Sequence, residues 1–239
     1  MTVALQWGYQ DRLAIVTGGG RGIGRAIALA LAAGGAEVHV FDREPGEGDA
    51  GLHVHAVDVC DGRAVEALVA QMGRPVSMLV NNAGITRDRS IAKMSDDEWG
   101  SVLHVNLTGA FNLIRAVAPG MTGQGWGRIV NVVSINGIRG KFGQANYAAS
   151  KGGLIALTKT AAREFGRKGV TVNAIAPGMV LTDMTLQLAP EFRQKALDEA
   201  VLPRLPDEDD IAAAALFFLS EHARAVTGQV LKVDSGQYI

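Results

Sequence analysis

The sequence has few of the features that mark a secreted or metal-binding protein. Among 239 residues there is a single cysteine, Cys60, which cannot form an intramolecular disulfide and has no partner for a CxxC metal site. Nothing therefore indicates an oxidising compartment. We expect Cys60 to be a small buried residue, and we assign no metal ligands.

Excess charge, long apolar runs and segments of biased composition are also missing. The formal net charge is -1 at pH 7, which gives no general attraction for nucleic acid or anionic lipid. Residues 1–10 lack a basic region followed by an apolar stretch, and apolar runs elsewhere are too short to span a bilayer. We therefore expect a cytoplasmic protein without nucleic-acid or membrane partners, folded as one domain over residues 1–239.

The sequence is instead rich in glycine, with 30 residues, and alternates regularly between strand and helix patterns. Ser95 and Glu98 have the spacing of a capping box, which predicts a helix running from there toward Pro119. Strands are predicted over 13–16, 38–41, 54–57, 76–80, 129–133, 170–175 and 230–233. Other helices are predicted over 26–33, 62–71, 147–167 and 207–219, with an amphipathic stretch at 190–200. The alternation predicts an α/β fold with one Rossmann-type, doubly wound parallel sheet of about seven strands flanked by helices.

A glycine-rich turn follows the first predicted strand. Gly18, Gly22 and Gly24 stand where a chain must turn sharply, approach a pyrophosphate and enter a helix whose amides face the anion. A flexible surface turn is the alternative, but the strand before it and the helix after it favour a dinucleotide site.

Acidic residues at the ends of the next two strands bear on the choice of dinucleotide. Asp42 is placed to accept hydrogen bonds from both ribose hydroxyls and to repel a 2'-phosphate, which favours NAD(H) over NADP(H). Arg21 and Arg43 argue for the alternative, NADP(H), because a guanidinium suits a 2'-phosphate. Asp58 is either an acceptor for the adenine amino group or a helix N-cap.

Tyr147 and Lys151 are four residues apart, so on a helix they share one face. A free phenol with a pKa near 10 is a poor acid-base group at pH 7, but a nearby ammonium lowers that pKa. Ser134, at the end of the fifth strand, is placed to hold a carbonyl oxygen or alkoxide. Asn106 is expected within a long helix, where a buried amide has a use in bending the helix and holding a water linked to Lys151.

Taken together, these motifs resemble the short-chain dehydrogenase/reductase family over nearly the whole chain. The motifs are Thr17-Gly18-x-x-x-Gly22-x-Gly24, Asn81-Asn82-Ala83-Gly84, Asn106, Ser134, Tyr147-x-x-x-Lys151 and Pro177-Gly178. The resemblance implies that Tyr147 is the general acid-base, Lys151 binds the nicotinamide ribose and lowers the tyrosine pKa, Ser134 positions the substrate oxygen and Asn106 sustains a proton relay. It also implies a set of cofactor-binding residues: Gly18, Arg21, Gly22, Ile23, Gly24, Asp42, Arg43, Asp58, Val59, Asn82, Ala83, Gly84, Tyr147, Lys151, Pro177, Gly178, Val180 and Thr182.

Within the family, the likeness is greatest to 3-oxoacyl-acyl-carrier-protein reductases and acetoacetyl-CoA reductases. It is visible in residues 82–88, 143–147 and 182–185, and it implies a carrier-protein- or CoA-linked ketone substrate and a homotetramer formed through helices near 96–119 and 147–167. Arg128 and Arg167 match basic positions that meet an acidic carrier, although a solvated arginine is the alternative for each. Asp42 and the short, glycine-rich segment 43–52 depart from the usual NADPH-dependent pattern.

Two other functions remain open at this point. One is an NAD-dependent dehydrogenase of a small or cyclic secondary alcohol, and the other is a protein that senses the dinucleotide without turnover. A mobile substrate lid is expected at about 182–201. Its apolar residues suit an acyl or alicyclic substrate better than a sugar; with the residues before it, they are Met179, Leu181, Met184, Leu186 and Leu188.

Overall fold

The computed structural model describes residues 8–44, 51–182, 185 and 189–239. Its strands are β1 (Leu13–Thr17), β2 (Glu37–Asp42), β3 (Leu52–Ala56), β4 (Met78–Asn81), β5 (Gly127–Val132), β6 (Val170–Pro177) and β7 (Val230–Val233). They form one seven-stranded sheet in the order β3-β2-β1-β4-β5-β6-β7, and all neighbouring strands are parallel. The predicted doubly wound parallel sheet is confirmed.

Helices connect the strands and cover the sheet. They are α1 (Gly22–Ala33), α2 (Gly62–Gln71), α3 (Asp96–Leu103), α4 (Ala110–Gly123), α5 (Asn136–Arg139), α6 (Ala145–Phe165), α7 (Pro190–Glu199) and α8 (Glu208–Leu219). A π-helical segment, His104–Gly109, joins α3 to α4. Within the described residues, no helix is both long and apolar enough to cross a lipid bilayer.

The helix predicted from Ser95 toward Pro119 is right in its start and wrong in its course. The capping box is present: the Glu98 amide donates to Ser95 Oγ at 3.1 Å, and the Ser95 amide donates to the Glu98 carboxylate at 2.9 Å. The π-helical segment then interrupts the helix, and α4 continues through Pro119 to its end at Gly123. Fully buried Met121 packs this last turn against the sheet, which offsets the hydrogen bond that proline removes.

The core lies on both faces of the sheet, because alternate residues of each buried strand point to opposite sides. In β1, Ala14 and Val16 pack into the cluster that contains α1 and α8, whereas Leu13 and Ile15 pack into the cluster that contains α2 and α4. Burying a leucine or isoleucine side chain stabilises the fold by about 1.5–3 kcal/mol. This packing sets the register of the strands, so the ends of β1, β2 and β4 meet where the strand order reverses and a crevice is expected.

Candidate active site

The glycine-rich loop between β1 and α1 forms one wall of this crevice. Gly18 and Gly22 have φ values of +64° and +58°, in the left-handed region that favours glycine. A Cβ at Gly24 would overlap the carbonyl oxygen of Gly18. Arg21 is the N-cap of α1 without a capping side-chain bond, and the first turn, which includes partly buried Ile23, carries no acidic residue. These features fit a pyrophosphate held by backbone amides at the start of α1.

The residues after β4 hold this loop in place. The Thr17 hydroxyl accepts hydrogen bonds from the amides of Asn82 and Ala83, both at 3.0 Å. The Asn82 side-chain nitrogen donates to the carbonyl oxygens of Thr17 at 3.1 Å and of Gly18 at 2.9 Å. The structure therefore brings two of the predicted motifs into direct contact, and the Asn82 amide is used to fix the glycine loop.

Asp42 ends β2 beside the same loop. One carboxylate oxygen accepts a hydrogen bond from the Gly20 amide at 3.2 Å, and the other accepts one from the Glu44 amide at 3.1 Å. Arg21 is exposed, and the Arg43 side chain is 76% exposed and 3.5 Å from the Glu44 carboxylate. The carboxylate is thus held at the crevice, whereas the two arginines lie at the surface.

Asp58 follows β3, and one of its two predicted roles is wrong. The N-cap of α2 is Asp61, whose side chain accepts hydrogen bonds from two first-turn amides at 3.0 Å. Asp58 instead accepts the Cys60 amide at 2.8 Å, next to buried Val59. Cys60 is half-buried rather than buried, and burial together with Asp58 raises the pKa of its thiol to about 12.

Tyr147 and Lys151 lie one turn apart near the start of α6, facing the end of β5. Lys151 is 3% exposed, and its Nζ donates a hydrogen bond to the Val132 carbonyl at 2.8 Å. The same Nζ is 5.8 Å from the centroid of the Tyr147 ring. Buried Ser134, two residues beyond the Val132 carbonyl, hydrogen-bonds to the phenol oxygen of Tyr147. The predicted serine, tyrosine and lysine therefore converge.

The pKa of Tyr147 is raised above its usual value near 10. The side chains around Tyr147 therefore do not produce the lower pKa that was expected from the neighbouring Lys151. Burial is the main cause, the charge of Asp88 adds to it, and the hydrogen bond from Ser134 offsets it only in part. Burial also lowers the pKa of Lys151 from 10.5 to about 8. Tyr147 is therefore a protonated phenol at neutral pH, while Lys151 changes charge close to the physiological range.

Asn106 lies in the π-helical segment and is 1% exposed. Its Oδ1 accepts the Ile85 amide at 2.8 Å, and its Nδ2 donates to the Ile85 carbonyl at 3.0 Å and to Ser150 Oγ at 3.1 Å. The helix is indeed irregular at this asparagine, as predicted. Its direct partners, however, are Ile85 and Ser150 rather than Lys151. A Cβ at Gly84 would lie 3.2 Å from Asn106 Oδ1 and 3.5 Å from Lys151 Nζ, so both groups border the space that the missing side chain of Gly84 leaves open.

The chain after β6 closes the other side of the crevice. Gly178 follows Pro177, and any side chain there would overlap the Gln237 side chain. Val180 is buried, and the Thr182 amide donates to the Thr185 hydroxyl at 2.8 Å. Of the expected lid, α7 is described, whereas Met184, Leu186 and Leu188 lie outside the described residues.

Sequence reasoning did not assign a role to the polar side chains that link the active-site segments. Gln144 accepts a hydrogen bond from Asn136 at 3.0 Å and donates one to Asp88 at 2.9 Å. Asn146 accepts the Tyr147 amide at 2.7 Å and donates to the Arg87 carbonyl at 2.9 Å. Segments 82–88 and 143–147 had already been singled out as motifs. Their contact was the missing information, and it fixes the start of α6.

Arg128 does not lie where a carrier protein would meet it. The side chain is 4% exposed, stacks on the Trp126 ring at 4.4 Å from the centroid and pairs with Glu221 at 3.4 Å. Because Arg128 is the second residue of β5, it is also at the opposite edge of the sheet from the crevice. The prediction that Arg128 contacts a carrier is therefore wrong, since burial against Trp126 already occupies the guanidinium. Arg167 is exposed, just before β6, and remains a prediction.

Comparison with known proteins gives the same assignment for nearly the whole chain. A family model described as enoyl-(acyl carrier protein) reductase matches residues 18–237. The acetoacetyl-CoA reductase of Shinella zoogloeoides is 42% identical over 95% of this chain and 99% of its own. The 3-oxoacyl-[acyl-carrier-protein] reductase FabG of Staphylococcus epidermidis is 41% identical over 96% and 100%, respectively. The crystal structure of a 3-oxoacyl-[acyl-carrier protein] reductase from Brucella melitensis superposes with a TM-score of 0.91 at 35% identity, covering 98% of this chain and 94% of that one. The chain belongs to the short-chain dehydrogenase/reductase family, oxidoreductases that act on hydroxyl and keto groups with a nicotinamide cofactor.

Proposed function

We propose that this protein reduces the keto group of a 3-oxoacyl thioester carried by coenzyme A or by an acyl carrier protein. The observation that carries the proposal is the convergence of Ser134, Tyr147 and Lys151 at the carboxyl edge of the sheet, beside the glycine loop. Relatives that are at least 41% identical carry the names acetoacetyl-CoA reductase and 3-oxoacyl-[acyl-carrier-protein] reductase. Both names describe reduction of a ketone two carbons from a thioester.

Tyr147 and Ser134 are the groups that handle the substrate oxygen. A bound nicotinamide supplies the hydride for the carbonyl carbon in reduction. The Ser134 hydroxyl holds the carbonyl oxygen, and the Tyr147 hydroxyl donates its proton to that oxygen as negative charge develops. The pKa of Tyr147 is raised, so the phenol carries at neutral pH the proton that reduction requires.

Lys151 is the group that connects Tyr147 to the cofactor site. One of its three N–H donors is used by the Val132 carbonyl, so two remain for the ribose hydroxyls next to the nicotinamide. Asn106 fixes the backbone at Ile85 beside this lysine. We assign Asn106 a positioning role, with the proton relay passing through water near Lys151.

NADH is the proposed cofactor, with NADPH as the alternative. The Asp42 carboxylate is oriented by the Gly20 and Glu44 amides, and it would accept hydrogen bonds from the adenosine ribose while repelling a 2'-phosphate. The remaining cofactor contacts are proposed for the glycine loop, Asp58 and Val59, residues 82–84 and the segment from Pro177 to Thr182.

Exposed apolar side chains around the crevice support an acyl substrate over a sugar. Several large apolar residues that follow β5 and β6 are exposed, although burial would be favourable for them. They are Ile138, Phe142, Phe192, Val201 and Leu202. We propose that the segment at about 182–201 acts as the lid of the single domain and that its apolar residues contact the acyl chain.

Oxidation of a small or cyclic secondary alcohol is the second candidate. The observation that favours it is Asp42, because an NAD-specific enzyme would serve oxidation better than an NADPH-specific one. A homotetramer is proposed for either function, with contacts through α3, α4 and α6. Trp99 and Phe111 provide exposed aromatic rings on two of these helices. Sedimentation of the wild type and of Phe111→Lys tests this, since only the wild type should form tetramers.

The test of the proposed function is a substrate screen followed by one substitution. NADH oxidation is measured with acetoacetyl-CoA, the unsaturated thioester crotonyl-CoA and cyclohexanone, and NAD reduction with cyclohexanol. We expect the highest kcat/KM with acetoacetyl-CoA and no reaction with crotonyl-CoA, since Tyr147 and Ser134 address a carbonyl oxygen. Preference for cyclohexanol or cyclohexanone would favour the second candidate.

Tyr147→Phe removes only the hydroxyl, so it separates catalysis from cofactor binding. We expect a loss of about 10²–10⁴-fold in kcat, with the dissociation constant for NADH changed less than about threefold. Tyr238→Phe is the matched control, because it removes the hydroxyl of a partly buried tyrosine that follows β7 and does not belong to the group of Ser134, Tyr147 and Lys151, and it should leave kcat unchanged. Undiminished turnover by Tyr147→Phe would contradict the proposed mechanism.

A further inference from the structure

A cluster of three histidines and one glutamate lies on β2 and β3, the two neighbouring strands at one edge of the sheet. Glu37 and His39 are alternate residues of β2, and His53 and His55 are alternate residues of β3, so each pair points to one face. The strand register places His39 directly opposite His53. The four side chains therefore meet on one face of the sheet, near the start of both strands and outside the crevice.

Three of these side chains offer atoms that can bind the same metal ion. Glu37, His39 and His53 each place one nitrogen or oxygen within 4.8 Å of the others. His39 Nε2 is already 3.0 Å from Glu37 Oε1. The other carboxylate oxygen of Glu37 pairs with Arg74 at 2.6 Å, which orients the carboxylate and leaves Oε1 toward the histidines.

His55 holds the central ligand from the other side. Its Nε2 is 2.9 Å from His39 Nδ1, and the two rings lie parallel within 11°, with centroids 5.1 Å apart. Metal-binding histidines commonly use their second ring nitrogen for a hydrogen bond that fixes the tautomer and the ring orientation. With His39 Nδ1–H donating to His55, His39 Nε2 presents its lone pair to the side where Glu37 and His53 lie.

We propose that Glu37, His39 and His53 form a binding site for Zn²⁺, with His55 as the residue that positions His39. Two imidazoles, one carboxylate and a water molecule make a tetrahedral ligand set typical of zinc. Zinc–ligand distances of about 2.0–2.2 Å require ligand atoms about 3.4 Å apart. His53 is exposed, and its ring stacks on that of His39 with the centroids 4.8 Å apart, so the His53 ring must turn to direct a nitrogen at the shared ion. This site is independent of the proposed reductase activity.

An ion here would clamp the edge of the sheet. β3 is the outermost strand and bonds only to β2, so a ligand set drawn from both strands adds a link that their hydrogen bonds lack. The proposed ion would lie outside the cofactor site, since Asp42 is three residues beyond His39 on β2, about 10 Å along the strand. A metal bound only by the folded state increases stability as its concentration rises above the dissociation constant.

The test uses the full chain after chelation and dialysis, titrated calorimetrically with Zn²⁺ alone. We expect one ion per chain, and Co²⁺ should give the visible spectrum of a tetrahedral site. His55→Ala removes the residue that positions His39 and should weaken Zn²⁺ binding by about tenfold, since loss of such a partner typically costs about 10–100-fold in affinity. His53→Ala removes a proposed ligand at an exposed position and should weaken binding by at least as much. Exposed His104 provides the control, and His104→Ala should bind as the wild type does.

Thermal unfolding gives a second measurement that does not depend on calorimetry. Zn²⁺ should raise the Tm of the wild type and of His104→Ala but not that of His53→Ala, while Mg²⁺ should have no effect on any of them. The proposal is overturned if the wild type shows no saturable binding of one ion, or if His53→Ala binds Zn²⁺ with wild-type affinity.

Discussion

Asp42→Asn should shift the cofactor preference of this enzyme toward NADPH. The substitution keeps the shape of the side chain and removes its charge, which lies beside the Gly20 amide where β2 ends. Two unit charges about 5 Å apart repel by about 3 kcal/mol at an effective dielectric of about 20. Because Asp42 is partly exposed, solvent and salt reduce this to about 2 kcal/mol, or about 30-fold in relative affinity.

The assay compares kcat/KM for NADPH and NADH in the wild type and in Asp42→Asn. The ratio should rise by about 30-fold in the variant, and the wild-type preference for NADH should weaken as ionic strength increases, because salt screens the repulsion. Glu44→Gln is the matched control. It removes an exposed carboxylate two residues away and should change the ratio less than about threefold. A wild type that prefers NADPH, or an unchanged ratio in Asp42→Asn, would refute the reasoning.

Three further substitutions test the energetics of the site and its surroundings. Lys151→Met should abolish activity yet raise the free energy of unfolding by about 1–2 kcal/mol at pH 7. The pKa of Lys151 is about 8 instead of 10.5, so keeping the buried ammonium charged costs about 3 kcal/mol. The hydrogen bond of the ammonium offsets part of this cost. Above about pH 8 the folded protein loses the Lys151 proton, whereas the unfolded chain keeps it up to about pH 10.5. Wild-type stability in urea unfolding should therefore rise from pH 8 toward pH 10, and the stability advantage of Lys151→Met should shrink. A difference between the two proteins that stays constant with pH would contradict this. Gly24→Ala should weaken NADH binding more than tenfold in a fluorescence titration, since its Cβ overlaps the Gly18 carbonyl, and near-native affinity would show that the loop is not the pyrophosphate site. Arg204 lowers the pKa of Asp210 to about 2, so Arg204→Ala should lower the free energy of unfolding at pH 7, by an amount that solvent screening keeps small. That loss should disappear as pH falls from 4 to 2 in acid unfolding, because stability from a depressed carboxyl pKa is present above the unfolded pKa and lost below the folded one.

Local patterns in the sequence were sufficient for most of the fold and for the identity of the candidate site. Alternating and helical periodicities depend on neighbouring residues, so the seven strands were predicted within two residues at each end. Ser95 and Glu98 marked the start of α3 because their capping contact joins residues only three apart in the sequence. The glycine loop and the Tyr147–Lys151 pair are likewise short motifs whose spacing is meaningful without knowledge of the tertiary structure.

Properties that depend on residues distant in the sequence were decided only by the tertiary structure. Burial and Asp88 raise the pKa of Tyr147, whereas the spacing to Lys151 alone predicted a lower one. Arg128 is buried because Trp126 and Glu221 come together at the amino edge of the sheet.

The histidine cluster shows the same division most clearly. The sequence contains Glu37-x-His39 and His53-x-His55, and each is a pair of residues on one face of a strand. Which pairs of strands are neighbours, and in what register, is set by the packing of the whole sheet. Only the pairing of β2 with β3 brings His39 opposite His53 and turns two separate pairs into one candidate metal site.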